Sequence, residues 1–476
     1  MSDIYNEFQK ENNEILRYIL EDKFFSKFTE EKLDFQRSKG LLVEFFVTSV
    51  CNQNCEYCYL ARHGDELYPK EFRNIDTILN NEKIVLEYFL DRNFCISELD
   101  LFSGEIWGMK FGNEVLNIIL EYVKKGLNIK SVMIPSNCSF VLNDNSLKIM
   151  QAYIDEFRKY KTELKFSASV EGKYLEDKTR PYNNSNINER KKSDEFYSKL
   201  FNFCVKNSYG FHPMVSAFGI EDWIDNFDWW ISMLKKYRLD IFNFTMFLEV
   251  RNNDWTDDKI RKYLSFLNHV FDYFFLEHYE NDAEKMINNT ILKFTDGPQN
   301  YDLSQICISS KNPSCTIGRS LNIRLGDLSI VPCHRLSYDK FLYGNFKVED
   351  NKIVGVNAKN IQLANKMYYT SVKACHKCDS CEYNLFCMRG CFGSQFETTK
   401  DPLLPCDTVC NFFIQKINFV IYKYKTSGVL DALKKISVKE KDTKRGVYAA
   451  SFYNNIDKIR NRKEYIEWEK KIIKTL

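Results

Sequence analysis

Between residues 41 and 280 the sequence alternates six times between a short apolar run and a longer stretch with helical spacing, and this alternation limits the fold more than any other feature. The short runs, rich in β-branched and aromatic residues, fall at 41–47, 99–102, 131–134, 165–170, 214–218 and 242–250. The helical stretches fall near 78–91, 112–125, 144–159, 192–207, 222–236 and 256–276. Parallel strands need a crossover, and a helix of this length is the usual one. The expected fold is therefore α/β, a partial (β/α)6 TIM-like barrel, in which chemistry gathers at the carboxyl ends of the strands.

The rest of the chain reads differently. Residues 3–33 predict a helix, with Ile4, Phe8, Ile15 and Ile19 near one face. After about 280 short strands, turns and cysteines take over, and 411–476 look helical again, with 16 basic residues against 7 acidic ones. A surplus of that kind is usually a solvated face. The expected boundaries are an N-terminal helical segment at 1–40, the barrel at 41–280, a cysteine-rich domain at 281–410 and a basic helical tail at 411–476.

Charge excludes more than it suggests. With 67 basic and 65 acidic residues the net charge is +2, which points to neither nucleic acid nor a membrane surface as partner. No apolar run approaches the roughly 20 residues needed to span a bilayer, and the first residues lack a signal segment, so the expected location is the cytoplasm. Sixteen cysteines in a reducing compartment then predict metal binding or catalysis rather than disulfides. Three lie at 51–58, and ten fall between Cys307 and Cys410. Cys95, Cys138 and Cys204 are scattered and read as small buried hydrophobes.

Cys51, Cys55 and Cys58 follow the first predicted strand directly. Three thiolates within eight residues can hold three corners of a cubane cluster and leave the fourth iron without a protein ligand. A structural zinc site is the alternative, but it wants four closed ligands, and the nearest further candidate is His63. The spacing, three residues and then two, followed by an aromatic, resembles the motif of the radical S-adenosylmethionine superfamily.

That resemblance implies roles for later residues. Ser103-Gly104-Glu105 stands where the family has Gly-Gly-Glu-Pro, which holds the methionyl amine of S-adenosylmethionine; the first Gly and the Pro are replaced here. Asn137 ends the third strand as a family asparagine does, Ser169 would contact the ribose hydroxyls, and Arg180 would meet the carboxylate. Glu171 stands in place of an aspartate. Tyr57, between the second and third cysteines, joins this cofactor-binding set.

The later cysteines Cys378, Cys381, Cys387 and Cys391 resemble the core of the SPASM domain, which carries two auxiliary clusters. The resemblance assigns Cys307, Cys315, Cys333 and Cys391 to one cluster and Cys378, Cys381, Cys387 and Cys410 to the other, making three [4Fe-4S] clusters in all. Two zinc sites would also satisfy eight cysteines. Family members of this layout are similar to peptide maturases such as thioether-forming ranthipeptide and sactipeptide synthases. The implied activity is oxidoreductase chemistry of RiPP maturation. A 5′-deoxyadenosyl radical abstracts hydrogen from a ribosomally made precursor peptide, and a thioether forms between Cys and another residue. A flavodoxin- or ferredoxin-type protein would supply electrons. Alternatives are sulfatase-maturase-like oxidation, epimerisation, carbon–carbon cross-linking, or a non-enzymatic iron–sulfur electron carrier. Sulfatase-type maturases usually have Asp after the second upstream cluster cysteine, and here His334 stands there as a candidate base. A complete leader-binding domain does not fit in the 50 residues before Cys51, so the leader is expected to meet a separate protein, the barrel or the basic tail. Trp223, Trp229, Trp230 and Trp255 read as packing residues.

Overall fold

The computed structural model describes residues 40–107, 111–183, 190–191, 193–240, 247–292, 320–360, 377–378, 380–384, 386–387 and 390–472. The helix expected at 3–33, and Cys307, Cys315 and Cys375, lie outside them. The six expected strands take shape as β1 (Leu41–Phe46), β2 (Cys95–Asp100), β4 (Ser131–Ser136), β5 (Glu163–Ala168), β6 (Met214–Val215) and β7 (Leu248–Glu249), with a two-residue β3 at Asn128–Ile129. After the first strand comes α1 (Tyr59–Leu67), and the expected helices follow as α2 (Ile75–Asp91), α3 (Gly112–Lys124), α4 (Asp144–Lys159), α5 (Asp194–Asn207), α6 (Trp223–Tyr237) and α7 (Asp257–Asp272). Several start on a capping side chain: Asn74, Asn143, Ser193 and Thr256 each accept a hydrogen bond from a backbone N–H of the first turn.

Several expected strands are displaced or shortened, the fourth to 163–168 and the sixth to 248–249 among them. The second lies at 95–100 rather than 99–102, because past Asp100 the chain turns so that Gly104 N and Glu105 N donate to Thr48 O and Val50 O, at 2.8 and 3.0 Å. The fifth stops at Val215, short of 218.

The chain divides into two compact units. The first takes its residues from Met1–Val170, Thr179–Phe211 and Cys315–Ser371. Its sheet is mostly parallel: β1 pairs with β2, β2 with β3 and β4, and β4 with β5. On its other side β1 pairs, again in parallel, with β8 (Ser320–Arg324), and β9 (Ser329–Val331), β10 (Gly344–Glu349) and β11 (Lys352–Ala358) continue antiparallel to the edge. The segment 320–358 thus extends the sheet of the first strands.

Side chains alternate across this sheet and make its faces unlike. Val43, Phe45, Leu99, Val132, Ile134, Leu164 and Phe166 are buried on one. The other carries a row in register across five strands, Asn322, Glu44, Asp100, Met133 and Lys165. A parallel sheet buried on both faces reads as continuous apolar runs; here the second face is polar. Cys95, Cys138 and Cys204 are buried, as expected of small hydrophobes.

The second unit takes its residues from Glu171–Lys178, His212–Ser314 and Val372–Leu476. It holds β6 and β7 as a parallel pair, with α6 and α7. The C-terminal stretch forms α8 (Phe392–Thr399), α9 (Asp407–Thr426), α10 (Val429–Lys439), α11 (Lys444–Arg460) and α12 (Lys463–Ile472). Its core is aromatic: Trp223 meets Phe247 and Phe266, and Trp255 stacks on Phe412 with centroids 4.4 Å apart. Trp223, Trp230 and Trp255 are fully buried packing residues. Inside the same core Lys416 on α9 meets Glu249 on β7 at 2.6 Å, both side chains buried, and the Tyr263 hydroxyl donates to the same carboxylate at 2.8 Å. Among the described residues no helix is long and apolar enough to cross a membrane.

Candidate functional site

Cys51, Cys55 and Cys58 sit on the loop that leaves β1, and Cys58 caps α1. Cys55 is buried; Cys51 and Cys58 are partly so. Burial pushes the Cys51 thiol up to about 12, the negative charges of Glu105 and Cys58 add to the shift, and the Gln53 backbone N–H, 3.4 Å from the sulfur, opposes it. A thiolate in this place needs positive charge, which a bound iron supplies.

The loop is held from several directions. Asn54 N and Glu56 N donate to Pro181 O and Thr179 O, and Gln53 bridges to Tyr182 in antiparallel fashion. Gln53 Nε2 donates to Arg180 O at 3.0 Å, while the Arg180 guanidinium donates to Gln53 Oε1 at 3.3 Å and to Tyr57 Oη at 3.2 Å. Arg180 and Tyr57, expected near the cofactor, are therefore in contact beside the loop.

Glu105 lies behind it, buried, and accepts from Ser136 Oγ at 3.0 Å and Asn137 N at 2.6 Å. Desolvation raises its carboxyl; these two bonds and the charges of Lys191 and Arg180 pull the other way. Gly104 touches the loop so closely that a Cβ there would sit 2.0 Å from Val50 O, which explains why only glycine serves. Ser103 Oγ accepts from Val47 N and Thr48 N, at 3.1 and 3.4 Å, so it supports the root of the loop. Asn137 is similarly committed. Its side chain donates to Asn52 Oδ1 at 2.7 Å and accepts from Tyr182 Oη at 3.1 Å, and its carbonyl accepts from Lys191 Nζ at 2.6 Å. Ser169 N donates to Ser136 O at 2.8 Å, which brings the end of β5 to the same strand ends.

Glu171 belongs to the second unit, where it receives Met214 N at 2.8 Å on its carboxylate and Asn226 and Trp230 on its carbonyl. There it fixes a turn, with Gly172 at φ +114° beside it.

His334 follows Cys333, which is buried in the first unit. Its ring stacks on Phe102, centroids 3.5 Å apart and planes within 5°, and its Nδ1 lies 3.0 Å from Glu44 Oε1. In the second unit Cys410 is raised to about 12, first by burial and then by the neighbouring charges of Cys387, Cys378, Asp407 and Cys381. Three of the thiols assigned to one auxiliary cluster thus act electrostatically on the fourth. Cys391 caps α8 in the same unit, and Cys406, buried, caps α9. Among the described residues no group of three or more His, Cys, Asp and Glu side chains is drawn together around the position of a single metal ion. A four-iron cluster makes a different demand, one thiolate for each iron that the protein holds, and the loop's three thiols would hold three irons and leave the fourth open.

Sequence reasoning gave no role to Gln53, Tyr182, Lys191, Glu44 and Asp100, and used Tyr59 only as the aromatic that follows the third cysteine. For Glu44 and Asp100 a signal was present, a carboxylate inside an otherwise apolar strand.

Neither a protein-family model nor a curated protein sequence matches this chain. Solved structures do. Native anSMEcpe with bound AdoMet aligns with a TM-score of 0.50 at 14% identity, over 82% of this chain and 99% of that one. Streptococcus suis SuiB bound to S-adenosylmethionine aligns over 80% of this chain and 78% of that one, also at 14% identity, but a TM-score of 0.41 is too low to argue from. The likeness to anSMEcpe shows a common α/β fold with a central, mostly parallel sheet.

Proposed function

We propose that this chain is a radical S-adenosylmethionine enzyme that modifies a peptide or protein, with a partial barrel and a SPASM-type domain carrying auxiliary clusters. The observation that carries the reading is the convergence of the three-thiol loop, Glu105 and Arg180 on the strand ends of one unit. The fold held in common with a protein solved with AdoMet bound supports it.

In this reading Cys51, Cys55 and Cys58 hold the cluster, which when bound supplies the electron that cleaves a carbon–sulfur bond of S-adenosylmethionine. Glu105, bonded only by uncharged donors among the described residues, receives the cofactor's ammonium. Arg180 meets its carboxylate, and Tyr57 and Gln53 aim the guanidinium. Ser103, Gly104 and Asn137 keep the loop in place. Cys378, Cys381, Cys387 and Cys410 hold one auxiliary cluster, and Cys333 and Cys391, with Cys307 and Cys315, the other. The substrate is a ribosomally made peptide, the product a thioether, and the electron donor a flavodoxin- or ferredoxin-type protein of the cytoplasm.

Anaerobic reconstitution tests this reading. About twelve irons per chain and reductant-dependent release of 5′-deoxyadenosine are expected. About four irons would remove the auxiliary clusters from the account, and no 5′-deoxyadenosine would remove the reading itself.

A further inference from the structure

The turn that follows β4 is strained, and two cations clasp it. Cys138, directly after Asn137, stands in the left-handed region at φ +59°, where a residue other than glycine persists only if its surroundings hold it there. The two residues that do so lie just before α5. Arg190 donates to Leu142 O at the far end of the turn, at 2.6 Å, and Lys191 Nζ donates to Asn137 O at its near end, also at 2.6 Å. Ser193, the cap of α5, ties them to that helix, its Oγ donating to Arg190 O at 2.7 Å.

Arg190 is exposed, whereas Lys191 is fully buried, its ammonium 4.4 Å from the centroid of the Phe196 ring and 5.5 Å from that of Tyr182. Removing an ammonium from water is costly, and the ring faces and the carbonyl offset part of that cost. If packing were all that is required, an apolar chain of the same length would serve as well. The turn held by Lys191 is the one that presents Ser136 Oγ and Asn137 N to the two oxygens of Glu105. Its charge also acts on that carboxyl, drawing it with Arg180 towards the ionised form against desolvation. Yet among the described residues no ion pair joins Lys191 to Glu105: the ammonium bonds the carbonyl of Asn137 and leaves the carboxylate open. Lys416 does the reverse, placing its ammonium on Glu249 itself.

We infer, on the reading of Glu105 proposed above, that Lys191 is a positioning residue for the amino group of S-adenosylmethionine. It fixes the turn that aims Glu105 without taking the place of the ammonium that Glu105 receives.

The test measures binding of S-adenosylmethionine and of its des-amino analogue, which keeps the sulfonium and the carboxylate, to the reconstituted full-length protein. Wild type is expected to favour S-adenosylmethionine. Lys191→Met is expected to weaken S-adenosylmethionine about tenfold and the analogue less than about twofold, so that the gap between the two narrows. Equal weakening of both ligands, or no weakening of either, overturns the inference, because a residue that merely packs the turn would move them together. Should Lys191→Met not fold, Lys191→Gln, which retains a donor for Asn137 O, is judged by the same gap, narrowed about threefold. An unchanged gap there overturns the inference, and so does failure of both variants to fold, which would make Lys191 a structural residue. Wild type separates the failures. If it binds S-adenosylmethionine no better than the analogue, the amine is not engaged and the reading beneath falls with the inference; if wild type shows the gap and Lys191→Met retains it, the inference alone falls.

Discussion

Glu105 and Glu249, both buried, belong to different units and are satisfied in opposite ways. Glu105 in the first unit accepts from a serine hydroxyl and a backbone N–H, both uncharged. Glu249 in the second has an ammonium supplied by the chain itself, Lys416, together with a tyrosine hydroxyl. A carboxylate that already owns its cation is a structural cross-link, and its cost and gain are settled on folding. One met only by neutral donors still has charge to offer, which is the condition of a binding group. Glu105 is placed to receive something; Glu249 is complete.

The sharpest way to break this comparison is to remove the loop's thiols. Cys51→Ala with Cys58→Ala is expected to reduce 5′-deoxyadenosine release to background, whereas Cys378→Ala lowers the iron count and leaves part of that release. Equal loss in both would erase the distinction. Next in size, Lys416→Met strands a buried carboxylate and is expected to cost about 3–5 kcal/mol in denaturant unfolding, and Lys416→Met with Glu249→Leu to restore most of it. Glu105→Gln keeps shape and the bond from Asn137 N, with Ser136 Oγ turning from donor to acceptor, so its effect should fall on ligand binding: S-adenosylmethionine affinity down about tenfold or more, with unfolding changed by about 1 kcal/mol or less.

A third buried glutamate gives the smallest and most diagnostic effect. Glu82 on α2 is fully buried, and neither carboxylate oxygen has a partner among the described residues; desolvation raises its carboxyl well above the ordinary value. A carboxyl raised in the folded state makes that state bind more protons, so stability is greatest below the unfolded value of about 4.3 and declines as pH rises towards the folded one. Glu82→Gln is expected to flatten that decline and to add about 1 kcal/mol at pH 7, measured as unfolding free energy against pH.

How much of this was legible in the sequence follows from the range of the signals. The helices show because apolar spacing is local: α2, α3, α4 and α6 begin within three residues of their expected starts. The pairing of β8 with β1 left no local trace, since the partners are some 280 residues apart. At the site, the cysteines and Gly104-Glu105 show through spacing. Gln53, Tyr182 and Lys191 do not, because a polar residue near a turn has the same appearance in sequence whether it braces a loop or faces water. Asn137 was found, but its commitment to Asn52 and Tyr182 is visible only in three dimensions.

The pairing of β1 with β8 also sets an order of events during synthesis. β1 is among the first strands made, yet one of its two edges is closed by residues 320–324. Until that segment emerges, the strand beside the three-thiol loop presents unsatisfied backbone groups, an invitation to foreign strands. Contacts of such long span are slow to form. The three-thiol loop thus leaves a strand that is paired on one edge alone until residues 320–324 have been made, and a chain stopped before residue 320 would carry the motif on that half-paired strand.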